Sequence, residues 1–223
     1  MAKNENRVNP IYITDPDTSE VYVLEFSRDS VRFAEQRGFK ITELTDFPQT
    51  NIPAFFFYAF RMHHKSLARE KTDKLLEELG GLTPAELERL VQLYNVPNES
   101  LIVTDGGGTE KHPTDSETGR EYTVGDFTES FERVFPWYLS MGMPADQFWE
   151  GDPWLAAAYR EADALRNQRR SEEMWMQGLY IYNAVDTVIG NALFGKSLKY
   201  LEEPIRLRPL TEEEQAAKAE EER

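Results

Sequence analysis

The chain has 223 residues and a formal net charge of −15, from 40 acidic against 25 basic residues, a balance that argues against duplex nucleic acid as a ligand because phosphate recognition needs a positive surface. It contains no cysteine, which excludes disulfides, thiolate metal sites and cysteine nucleophiles. The N-terminal MAKNENRVNP is polar and no apolar run approaches the roughly 18 residues of a membrane span, so a cytoplasmic protein without signal peptide or membrane segment is expected.

Along the chain, Ile11 to Thr14 and Val21 to Phe26 are β-prone runs flanking the turn formers DPDTSE, which predicts a hairpin that needs a helix to cover it. Ser27 is placed to cap a helix running to Arg37, with Gly38 just past its end. A helical turn is expected near Thr42 to Asp46. Phe56, Phe60, His64, Leu67, Lys71, Leu75 and Leu79 recur at helical spacing, which predicts one long helix from Pro53 to Gly80. Thr83 and Glu86 form a capping box ahead of Leu87, Leu90, Val91 and Tyr94, a stripe that should end before Pro97.

The segment TDGGGTEKHPTDSETGR, Thr104 to Arg120, has no large apolar residue and reads as a linker, because it cannot bury enough surface to offset the entropy of ordering it. Beyond it, Tyr122 to Val124 suits a short strand. Phe127 to Ser140 reads as a helix that Pro136 should break or kink. Ala145 to Trp149 reads as a single turn, and Asp152 caps a helix from Pro153 to Leu193, interrupted near Ser171, with Trp175, Leu179, Tyr182, Val185, Ile189 and Leu193 on one side. Gly195 should stop it, and the glutamates from Glu212 onward form a solvated acidic tail. The expected fold is mainly α, with two small helical domains joined by a flexible linker and an N-terminal β-hairpin in the first. Its parts are residues 1–103, the linker 104–121, residues 122–210 and the tail 211–223.

Chemistry-bearing constellations are sparse. His63 and His64 are adjacent, so on a helix they point about 100° apart and cannot both face one metal; His64 reads as a hydrogen-bonded core or interface residue. Asp15, Asp17 and Glu20 resemble a fragment of a calcium loop but lack its spacing, and turn formation is the better reading. Gly106-Gly107-Gly108 has no Lys-Ser or Lys-Thr after it and is no phosphate cradle. No catalytic residue, metal site or cofactor is expected, and the chain reads as a binding protein rather than an enzyme. The unusual inventory is aromatic. Phe55-Phe56-Phe57-Tyr58 would encircle a helix, so one or two of them, Phe55, Phe57 or Tyr58, should meet a partner or a neighbouring subunit. Trp149 and Trp154 flank a helix start and form a second candidate recognition corner.

Three stretches, YVLEFSRDSVRFAEQRGF, FFFYAFRMHHKSLAREKTDKLLEELGGL and LERLVQLY, together resemble the N-terminal part of tail assembly chaperones from long-tailed phages and prophages of Gram-positive bacteria. PWYLSMGMPADQFWEGDPWLAAAYREA and MWMQGLYIYNAV resemble the downstream reading-frame product of the same tail region, commonly joined to the first by programmed ribosomal frameshifting. The resemblance implies a role like that of the G and G-T proteins of lambda-type phages. There the N-terminal domain coats the tape measure protein and the C-terminal domain recruits the tail tube protein. It implies self-association, residence in the host cytoplasm and absence from the mature virion; the rival expectation is a structural component of the tail or head-tail connector.

Overall fold

The computed structural model describes residues 7–101, 103–104, 110–111, 127–195, 197–201 and 204–205. They are mainly helical, with a small antiparallel hairpin at the N-terminus. Strands β1 (Ile11–Thr14) and β2 (Val21–Leu24) pair with Ile11 opposite Leu24 and Thr14 opposite Val21. The tip between them is an Asx turn: the Asp15 carboxylate accepts the Asp17 and Thr18 backbone N–H groups at 2.9 and 3.1 Å, and the Thr18 bond holds that carboxylate below its usual pKa. Asp15 is therefore a turn former, as its spacing indicated.

Helix α1 (Arg28–Glu35) starts at a reciprocal capping box between Ser27 and Ser30. It ends where Gly38, at φ +81°, lets the Phe39 N–H return to the Ala34 carbonyl. A 3₁₀ turn (Ile41–Glu43) leads to α2 (Pro48–Phe60), α3 (Arg69–Glu78) and α4 (Pro84–Glu99), the last opened by the Thr83–Glu86 capping box. The single helix expected from Pro53 to Gly80 is thus two helices. α2 begins a turn earlier, with Pro48 as its first residue, and the chain leaves helical geometry between Arg61 and Ala68. The reason is tertiary. His64 accepts the Val23 backbone N–H through Nε2 at 3.1 Å, and His63 Nε2 lies 2.9 Å from the Glu25 carboxylate. Both contacts pull the chain toward the outer edge of β2, overriding a continuous helical stripe.

Further on, Val103–Thr104 and Glu110–Lys111 form a two-residue antiparallel ladder, β3 and β4. The rest of the expected linker and the strand expected at Tyr122 to Val124 lie outside the described residues. Helices α5 (Thr128–Ser140), α6 (Ala145–Trp149) and α7 (Leu155–Phe194) follow. Three expected interruptions do not occur: α4 runs past Pro97, α5 past Pro136, and α7 past Ser171. A proline removes one backbone hydrogen bond and crowds the preceding turn, and packing on these helices outweighs that cost. Just past the end of α6 the backbone approaches so closely that a Cβ at Gly151 would sit 2.6 Å from the Gln147 carbonyl oxygen, and only glycine fits there.

The chain divides into two compact units, residues 1–163 and residues 164–223. The expected boundary at 104–121 falls inside the first of these units. Phe131, Val134, Tyr138, Met141, Met143, Phe148 and Ala156 belong to the same hydrophobic core as Leu24, Phe26, Val31, Phe55 and Tyr94. The Glu35 carboxylate reaches across to accept the Phe127 and Thr128 N–H groups, each at 2.8 Å, and so caps α5 from another helix. A linker without apolar residues contributes no core of its own, but the blocks on either side of it can still share one.

Candidate partner-binding surfaces

The four consecutive aromatics of α2 do encircle the helix, and the first unit wraps around it. Phe55 is 0% exposed. Its ring stacks on Phe26 and Phe39 at centroid distances of 5.4 and 5.3 Å and meets Tyr94 edge-on at 5.5 Å. Phe56 packs edge-to-face on Phe60 at 5.0 Å, and Tyr58 is buried against Phe33 and Phe39. Phe55 and Tyr58 are therefore core residues and not a partner surface. Phe57 is half-buried. The hairpin and α1 cover the faces that a helix in a smaller assembly would leave open.

The expected recognition corner is likewise built into the fold. Trp149 is half-buried, with its ring 5.4 Å from Phe135 and 5.1 Å from Phe148. The Arg32 guanidinium lies 3.9 Å above its face, a cation–π contact between α1 and α6. Trp154 is half-buried at the turn before α7, where its backbone N–H donates to the Asp152 carboxylate. Trp149 thus packs against the core, while Trp154 is half-buried beside it.

Beneath this corner lies a group with no sequence signature. Arg28 is fully buried; its guanidinium donates to the Phe148 carbonyl (2.8 Å), the Pro153 carbonyl (2.9 Å) and the Ser100 hydroxyl (2.8 Å). Its plane also lies 4.6 Å over the Phe148 ring. Burial lowers its pKa to about 10, so it stays charged at neutral pH, and the fork of acceptors compensates for lost hydration. Arg160 donates to the Ser100 carbonyl and the Tyr138 hydroxyl close by, and burial raises the Tyr138 pKa. The two terminal nitrogens of Arg28 are satisfied and tie α1 to the end of α4 and to α6, while its buried Nε has no hydrogen-bond partner.

A shallow hollow of about 510 Å³ borders the hairpin, lined by Glu20, Tyr22, His64, Leu67 and Lys71 among others. The Tyr22 hydroxyl donates to Glu20 at 2.6 Å and accepts from Lys71, so the network is closed on itself. Burial holds the His64 imidazole below its ordinary pKa, in keeping with a neutral ring accepting the Val23 N–H. Among the described residues no group of three or more His, Cys, Asp or Glu side chains is arranged to hold a metal ion.

The second unit presents a different surface. On α7, Met174, Ile181 and Val188 recur every seven residues, as do Trp175, Tyr182 and Ile189, and as do Gly178, Val185 and Ala192. At about 100° per residue these positions merge into one continuous stripe. It is exposed: Trp175 by 64%, Ile181 by 65%, Tyr182 by 70% and Leu193 by 73%. The opposite side of the helix is the covered one. Met176 and Gly190 are buried there, the Tyr180 hydroxyl accepts the Ile205 N–H, and Asn191 exchanges two hydrogen bonds with Leu198. The helical periodicity of Trp175, Tyr182, Val185, Ile189 and Leu193 was legible as an apolar side. The heptad recurrence of Met174, Ile181 and Val188 widens it, and Leu179, expected on that side, lies half-buried at its margin.

Among the described residues no helix is long and apolar enough to cross a membrane. No curated protein and no solved structure matches the chain. The profile of one family, described as a domain of unknown function (DUF5055), matches residues 1–122, more than half of the 223 residues, and the chain belongs to that family.

Proposed function

We propose that this protein is a phage tail assembly chaperone that keeps the tape measure protein soluble and brings tail tube protein to it, acting in the host cytoplasm and left out of the mature virion. The observation that carries the reading is the exposed apolar stripe of α7, Met174 to Leu193. A contiguous apolar face of this size marks a surface that meets another chain, and an apolar seam along a helix suits a helical client. The resemblance of the quoted motifs to tail assembly chaperones supplies the two clients, and it gives the tape measure protein to the N-terminal block. The role first assigned to Phe55 and Tyr58 passes to this stripe, because those two side chains are enclosed.

Co-expression tests it. The intact chain is expected to keep the tape measure protein in the soluble fraction and to co-purify with it, and the double variant Ile181→Asp, Val185→Asp is expected to lose both effects while retaining its helical circular dichroism. Mass spectrometry of purified virions checks the rest: the chain should be absent, and its recovery at stoichiometric levels would make it a structural component instead.

A further inference from the structure

The stripe raises the question of what covers it before a client arrives. Its side chains expose 45–73% of their surface. Applied to side chains of roughly 150–200 Å² each, those fractions leave on the order of 900 Å² of apolar surface on this one helix, beyond the roughly 300–600 Å² of the largest patch on an ordinary monomer. An interface of standard size takes about 800 Å² from each partner. One copy of the stripe therefore matches what another copy needs.

Two further observations select that occupant. The heptad recurrence over Met174, Ile181 and Val188, interleaved with Gly178, Val185 and Ala192, is the spacing by which one helix meets another along a seam. Charge points the same way. The chain as a whole carries −15, but between Ala164 and Leu201 five basic residues stand against three acidic ones, and Asp186 is the only one of these charges between Met174 and Phe194. The acidic repulsion that would separate two copies is thus absent from this stretch, and a seam without charge pairs well with itself.

We infer that the α7 stripe closes against the same stripe of a second copy, forming a dimer that shields it until a client helix displaces the partner. This rests on reading the stripe as the binding surface of the chaperone, and it adds how that surface is regulated.

Sedimentation velocity on the full chain tests it between about 1 and 100 µM. The expected species is a dimer of twice the 25.8 kDa chain mass, with Ile181→Asp and Val185→Asp shifting the dissociation constant upward by at least 100-fold. Arg169→Asp, an exposed position off the stripe, should leave it unchanged. Both seam positions are exposed, so the variants should keep the wild-type circular dichroism. A wild-type chain that stays monomeric across the range, or a dimer indifferent to both seam substitutions, overturns the inference. A monomer that still solubilises the tape measure protein would remove the dimer and leave the chaperone reading standing. A stripe-dependent dimer that leaves that protein insoluble would do the reverse.

Discussion

Phe55 and Trp175 are both large aromatics on helices, yet the first is 0% and the second 64% exposed. The first unit surrounds its aromatic helix with a hairpin and other helices, so that even a run of four consecutive rings is absorbed. The second unit turns its less apolar side toward its own C-terminal residues and leaves the more apolar side open. Aromatic density in the sequence therefore marks core in one region and exposed surface in the other. What separates them is the number of elements available to wrap a helix, a tertiary property that composition does not report.

The largest effect that would sharpen this contrast comes from Arg28. Arg28→Ala removes the donor from two buried carbonyls and a hydroxyl and leaves a void, and the first unit is expected to lose about 3–5 kcal/mol of stability in urea denaturation. A loss below about 1 kcal/mol would show that the three acceptors find other donors and that Arg28 is no anchor.

A smaller effect should follow pH. The His64 pKa is depressed by burial and its neutral ring accepts the Val23 N–H. A base whose folded pKa lies below its unfolded value of about 6.5 gives stability that is present above that value and lost as pH falls through it. The melting temperature of the first unit is expected to drop between pH 7.5 and 5.5. His64→Gln, whose amide oxygen can accept the same N–H at any pH, should flatten that slope; an unchanged slope would place the titration elsewhere.

The smallest effect is the one that most directly sets the two units apart. Trp175→Ala should change the stability of the chain by no more than about 0.5 kcal/mol in a dilute sample where copies are separated, the usual range for an exposed position. A loss of several kcal/mol would mean that Trp175 packs into a core after all, and the contrast between the units would fail.

Much of the local structure was readable in the residues. The hairpin, the Ser27 and Thr83 caps, the Asx turn at Asp15 and the stop at Gly38 all follow from side chains that act on their own neighbourhood. The breaks were not. His64 sits on a helical stripe but is drawn to the hairpin by Val23, a partner 41 positions away, and Pro97 and Pro136 are carried inside helices by packing that local preference cannot anticipate. The candidate surface divided the same way. The apolar side of α7 was visible as periodicity, whereas its exposure, and the enclosure of Phe55 and Tyr58, depended on which elements cover which helix. Arg28 gave no signal at all, since its acceptors are backbone carbonyls that any residue could supply.

The same Arg28 bears on how the protein is made. Its acceptors at Phe148 and Pro153 lie 120 and 125 residues downstream. At a synthesis rate of roughly 5–20 residues per second the ribosome delivers them about 6–25 s after the arginine itself. Throughout that interval the charged Arg28 side chain lacks two of its three acceptors. These two contacts therefore wait on the order of translation, and a pause between the codons for residues 101 and 148 would lengthen the time for which the core is unfinished.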